Sequence, residues 1–122
     1  MAEYFADTYA IIQYLIGKKN YAQYFEGNRI ITTRLNLMEL YFWTLKEQGE
    51  YLADEYFDSL IQSTVDFSDS SIKDAMKFRL ENRGKGISYI DAVGYQVALE
   101  SKVKFLTGDR AFRGIGNVEF VE

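Results

Sequence analysis

Four acidic side chains interrupt otherwise apolar stretches of this chain: Asp7, Glu39, Asp91 and Asp109. Asp7 closes Glu3-Tyr-Phe-Ala-Asp7-Thr8, and Asp109 closes Val103-Lys-Phe-Leu-Thr-Gly-Asp109. Glu39 lies within Leu35-Asn-Leu-Met-Glu39-Leu-Tyr-Phe-Trp43, and Asp91 within Ile87-Ser-Tyr-Ile-Asp91-Ala-Val. Apolar neighbourhoods tend to be buried, and ionised carboxylates are rarely buried without a partner. No segment supplies a basic partner for all four. Two like charges about 5 Å apart repel by about 3 kcal/mol at an effective dielectric near 20. Convergent carboxylates therefore either protonate or share a cation. A site made only of carboxylate oxygens suits a hard ion such as Mg2+ or Mn2+.

The rest of the composition narrows the chemistry further. The 122 residues include no histidine and no cysteine. Imidazole acid–base catalysis, His-ligated zinc, thiol nucleophiles and disulfides are excluded. The net charge of −4 argues against adhesion to nucleic acid through bulk charge. It leaves room for an acidic metal site with a local basic rim. No apolar run approaches the roughly 18 residues of a membrane span. Glu3 and Asp7 do not suit a signal peptide. The expectation is one cytoplasmic domain over residues 1–122, without repeats or linkers, and with no membrane partner.

Each acid also has an ordinary structural explanation. Asp7-Thr8 can cap a helix, and Ser88-x-x-Asp91 is a capping-box pattern in which Asp91 reaches back to the Ser88 amide. Gly108-Asp109 can be a plain turn. Glu39 is hardest to explain this way, because Leu35, Phe42 and Trp43 flank it on one helical stripe.

The elements that must position these acids follow from periodicity. Strands are expected at 3–7, 29–32, 64–67, 103–107 and 118–121, the last at an edge. Helices are expected at 8–17, 21–26, 33–48, 50–63, from Ser71 to about Arg83, and from Ser88 to about Ser101. Alternating strands and helices predict a mostly parallel sheet with helices on both faces. In such sheets ligands bind at the C-terminal strand ends. Asp7 and Asp109 fall at strand ends, and Glu39 lies early in a helix leaving one. Asp91 opens a helix that returns to the strand 103–107. All four map to one edge.

The order and spacing of these pieces resemble the PIN-domain family, including the VapC-type toxin ribonucleases. The matching pieces are Asp7-Thr8, Glu39 in the helix after strand two, Ile87-Ser-Tyr-Ile-Asp91-Ala-Val with Ala98, and Leu106-Thr-Gly-Asp109-Arg-Ala-Phe112. The resemblance implies an α/β/α sandwich with a roughly five-stranded sheet, and Mg2+- or Mn2+-dependent cleavage of RNA. It also implies a homodimer or an antitoxin as partner. One departure stands out: many relatives carry a further acid where this chain has Ala111, which bears on a second metal. Phosphodiester hydrolysis assigns Asp7, Asp91 and Asp109 to the metal and Glu39 to the attacking water. Thr8 and Thr107 are supporting residues. Lys85, Arg110 and Arg113 are either an RNA rim or a solvated charged surface.

Three other functions compete. A receiver-type phosphoacceptor needs paired acids after strand one, where Thr8 follows Asp7. A haloacid-dehalogenase-like phosphatase needs Asp-x-Asp, where Tyr9 takes the second position. A PIN-like binding module without catalysis is the remaining alternative. The stretch Tyr41-Phe42-Trp43 adds a separate expectation. Leu37, Leu40 and Tyr41 would form a second apolar face, covered by the helix 50–63 or by a protein partner.

Overall fold

The computed structural model describes all of residues 1–122. Its sheet has four parallel strands in the order β2-β1-β3-β4. These are β1 (Glu3–Ala6), β2 (Arg29–Ile31), β3 (Lys104–Thr107) and β4 (Val118–Phe120). The central pairing sets Tyr4 against Lys104, Phe5 against Phe105 and Ala6 against Leu106.

The two-residue alternation of a strand sorts the side chains into two cores. Phe5, Ile31 and Phe105 point to one face, where α5 (Asp69–Glu81) and α6 (Tyr89–Glu100) cover them. Ala6 and Leu106 point to the other. There they meet α1 (Thr8–Leu15), α2 (Lys19–Phe25) and α3 (Arg34–Gln48), with α4 (Glu50–Leu60) packed outside. The result is a three-layer α/β/α sandwich with β4 at an edge, as the periodicity predicts.

The expected fifth strand at 64–67 is reduced to one parallel bridge, Thr32 to Thr64. A three-residue helical turn over Ile61–Ser63 delivers the chain to it, and Ser68 already begins the next helix. Thr32 N donates to Ser63 O and Val65 N to Thr32 O, and the pairing goes no further. That next helix starts at Asp69 rather than Ser71. Ser68 is the extended N-cap, and Ser71 reciprocates from the third helical position. The helices α3 and α4 are separated by Gly49 alone, at φ 96°. A side chain there would be strained.

The helix α3 does not present a second open apolar face. Leu37 and Leu40 are fully buried. Tyr41 packs edge-on against Phe57 at 5.9 Å and donates to Asp54 at 2.7 Å. What α3 leaves exposed is Met38, Phe42 and Leu45, spaced along one helical stripe. No helix is long and apolar enough to cross a membrane.

Candidate active site

The C-terminal end of the sheet is where β1 runs into α1 and β3 runs into a short helical turn. Asp7 lies at the first junction. It is 1% exposed and caps α1, its Oδ1 accepting from the Ala10 amide at 2.8 Å. Its Oδ2 accepts from the Thr107 hydroxyl. The Thr107 oxygen in turn accepts from the Asp109 amide at 3.0 Å. One threonine at the end of β3 therefore ties both aspartates to the sheet. Burial pushes the Asp7 carboxyl well above its usual range, and the charge of Asp91 adds to it. Hydrogen bonds from Thr107 and Ala10 pull the other way, and Asp109 contributes a smaller upward push.

Asp109 caps the turn Arg110–Phe112, its Oδ1 accepting from the Ala111 amide at 3.0 Å. Phe112 anchors that turn. It is fully buried, with its ring 4.6 Å from that of Phe105. The spacing from Asp109 to Phe112 is thus a pin that fixes where the acid points. For Asp7 and Asp109 the capping role and the acidic cluster coexist.

Asp91 lies in the first turn of α6. Ser88 accepts from its amide at 3.1 Å. The return bond of a capping box, from the Asp91 carboxylate to the Ser88 amide, is not made. The carboxylate instead feels two other acids. Burial, then Glu39, then Asp109 raise it to about 7, with the Ser88 hydroxyl moderating the rise.

Glu39 is held by a directed chain of hydrogen bonds. Thr33 donates to Asn36 Oδ1 at 2.7 Å, and Asn36 Nδ2 donates to Thr8 at 3.2 Å. Thr8 donates to Glu39 Oε1 at 2.6 Å. Each donor is used in turn, and the chain ends on a carboxylate oxygen. Asn36 is fully buried and was not singled out from sequence. Its signal was available: a polar residue one turn before Glu39 on the same apolar stripe.

No basic side chain forms an ion pair with any of the four acids. The ion pairs of the molecule are Glu3–Arg29, Asp74–Lys77 and Glu122–Arg113. Arg113 is thus engaged by Glu122 and lies over the Phe120 ring. Arg110 and Lys85 are exposed and unpaired. Asp7, Glu39 and Asp91 line a cavity of about 330 Å3 with Tyr9, Ile12, Phe42 and Trp43. Asp109 is not part of that lining, and it reaches the others only through its charge on Asp7 and Asp91. Two hollows of about 410 Å3 lie elsewhere, along β2 and beside Gly17, away from the acids.

No three acids stand close enough to cage a metal ion by themselves. Mg2+ does not require such a cage, because it keeps several waters and is usually bound through one or two carboxylates. An all-oxygen donor set without a cationic partner, holding carboxyls that resist ionisation, is the chemistry such an ion would complete.

Comparison with known proteins places the arrangement in context. Residues 4–118 match the PIN domain family. No curated protein matches. Among solved structures, a toxin–antitoxin complex from Klebsiella pneumoniae is similar, at 18% identity and TM-score 0.75, over 98% of this chain and 96% of that one. VapC20 of Mycobacterium tuberculosis, a toxin that cleaves the sarcin–ricin loop, is similar at 14% identity and TM-score 0.76, over 95% and 98%. VapBC2 from Rickettsia felis, bound to a DNA fragment from its promoter, is similar at 19% identity and TM-score 0.74, over 98% and 97%.

Proposed function

The chain belongs to the PIN domain family, and on that premise we propose that it is a Mg2+- or Mn2+-dependent endoribonuclease, the toxin of a toxin–antitoxin pair. The observation that carries the reading is the group of four carboxylates with no cationic partner at one end of the sheet. Asp7 and Asp109 would hold the ion, with Asp91 completing the set. The bound ion supplies charge stabilisation at the phosphate and eases loss of a proton from water.

The remaining work falls to side chains of this chain. Thr107 fixes the Asp7 carboxylate. Glu39, oriented by Thr8, positions the attacking water and accepts its proton. Water adds to phosphorus, the bond to the leaving ribose oxygen breaks, and that oxygen takes a proton from solvent. Arg110 and Lys85, being unpaired, are the better candidates for an RNA rim than Arg113.

The partner reading rests on the similar structures, two of which are toxin–antitoxin complexes. An antitoxin, or a second copy of the chain, would cover exposed apolar surface. A cytoplasmic location accords with an RNA substrate. The second reading is a PIN-like binding module without catalysis, favoured by the lack of a ready-made three-acid cage.

Cleavage of end-labelled RNA separates the two. Activity should need Mg2+ or Mn2+, vanish with chelator, and fall by at least ~100-fold in Asp7→Asn and Glu39→Gln. A saturating ion should also raise the melting temperature, because it binds only the folded state. Unchanged RNA together with no thermal shift from either ion would remove the nuclease reading.

A further inference from the structure

The cavity that holds the acids is also lined by side chains of different chemistry. Phe42 is 67% exposed and Tyr9 42% exposed, and both line the cavity beside Asp7, Glu39 and Asp91. Phe42 lies three residues after Glu39, on the same side of α3. Its helical neighbours have structural work: Leu40 and Thr44 are buried, Tyr41 packs under α4, and Trp43 packs into the second core. Phe42 has none. A phenyl ring left in water beside a reactive centre calls for an occupant.

The neighbouring charge identifies which occupant. Lys46 Nζ stands 5.8 Å from the Phe42 ring centroid, one helical turn further on. An exposed aromatic ring with a cation over one face matches a nucleotide. The base stacks on the ring, and the cation meets a backbone phosphate. A purely apolar peptide segment would use the ring but not the ammonium, and would meet uncompensated carboxylates beside it. Tyr89, whose ring lies 4.0 Å from the Arg79 guanidinium, does not line this cavity.

We propose that Phe42, flanked by Tyr9 and Lys46, is a stacking platform for one unpaired nucleobase next to the cleaved phosphate. The inference rests on the nuclease reading and adds a substrate preference to it. A base can reach Phe42 only where it is unpaired and free to splay. Every base has a π-face, so stacking alone selects strongly for an unpaired position and weakly for base identity.

Steady-state cleavage of a short single-stranded RNA tests it, alongside the same RNA carrying an abasic residue at successive positions around the cut. Phe42→Ala should raise KM roughly tenfold on intact RNA. It should have no effect on RNA that is abasic at the stacking position. Phe42→Tyr should restore the wild-type KM, and all variants should keep the wild-type melting temperature. An unchanged KM in Phe42→Ala, or an equal penalty on intact and abasic RNA at every position, overturns the platform while leaving the nuclease reading in place. Loss of a co-purifying protein partner with unchanged RNA kinetics also overturns it, and assigns Phe42 to protein docking. A wild-type protein that cleaves no RNA overturns both.

Discussion

A carboxyl group that titrates near neutrality couples folding to pH. In its folded position Asp91 is raised from 3.8 to about 7, by burial first and then by Glu39 and Asp109. Between those values the native state keeps a proton that the unfolded chain releases. The stabilising contribution is complete below pH 3.8 and lost as pH climbs through about 7. Asp7 is shifted in the same direction. Thermal melts of metal-free protein should therefore show stability declining from about pH 5 to pH 8, and Asp91→Asn should flatten the decline. Ion binding has the opposite dependence, because it requires the ionised carboxylates, so Mg2+ affinity should increase over the same interval. A flat wild-type profile would mean that a basic group not seen beside Asp91 neutralises it. The sequence made these acids conspicuous because apolar neighbours announced burial. It marked Asn36 only as a polar residue on the Glu39 stripe, since the bond that gives it a role comes from Thr8 on another element.

The element that brings Asp91 to the site is α6, and its closeness to the sheet depends on Gly94. A Cβ there would lie 2.8 Å from Phe5 Cε1 and 2.9 Å from Phe5 Cζ. Phe5 cannot easily yield, because its ring stacks on Phe105 at 5.6 Å within the buried core. Alanine would gain up to about 1 kcal/mol of helix propensity. Overpacking costs about 1–3 kcal/mol. Gly94→Ala should therefore destabilise by roughly 1–2 kcal/mol in chemical denaturation, and should weaken ion binding as α6 is pushed outward. A neutral or stabilising outcome would show that the helix can shift without strain. Most element boundaries were legible within a few residues, because periodicity and caps are local signals. The misplaced start of α5 and the missing fifth strand were not. The first depends on which serine turns extended, and the second on how far the segment after Thr64 stays beside β2.

Across the whole molecule, the exposed apolar residues of α3 besides Phe42 are Met38 and Leu45. Sequence periodicity nominated Leu37, Leu40 and Tyr41 instead, because it cannot say from which side α4 will pack. Light scattering at micromolar concentration should give more than a monomer mass, or capture of an antitoxin on co-expression, with Leu45→Glu weakening either association. A monomer unaffected by that change would remove the partner reading from this stripe. The bond from Thr107 to Asp7 joins residues 100 positions apart. Helices and the β1–β2 pairing can form from nearby chain, but this closure awaits the slow docking of remote segments. A collapsed molecule can thus acquire most of its helical structure while still incapable of hydrolysis. On the nuclease reading, competence would wait for that long-range closure, and a newly made chain would pass through an interval in which a partner could reach it before it cuts RNA.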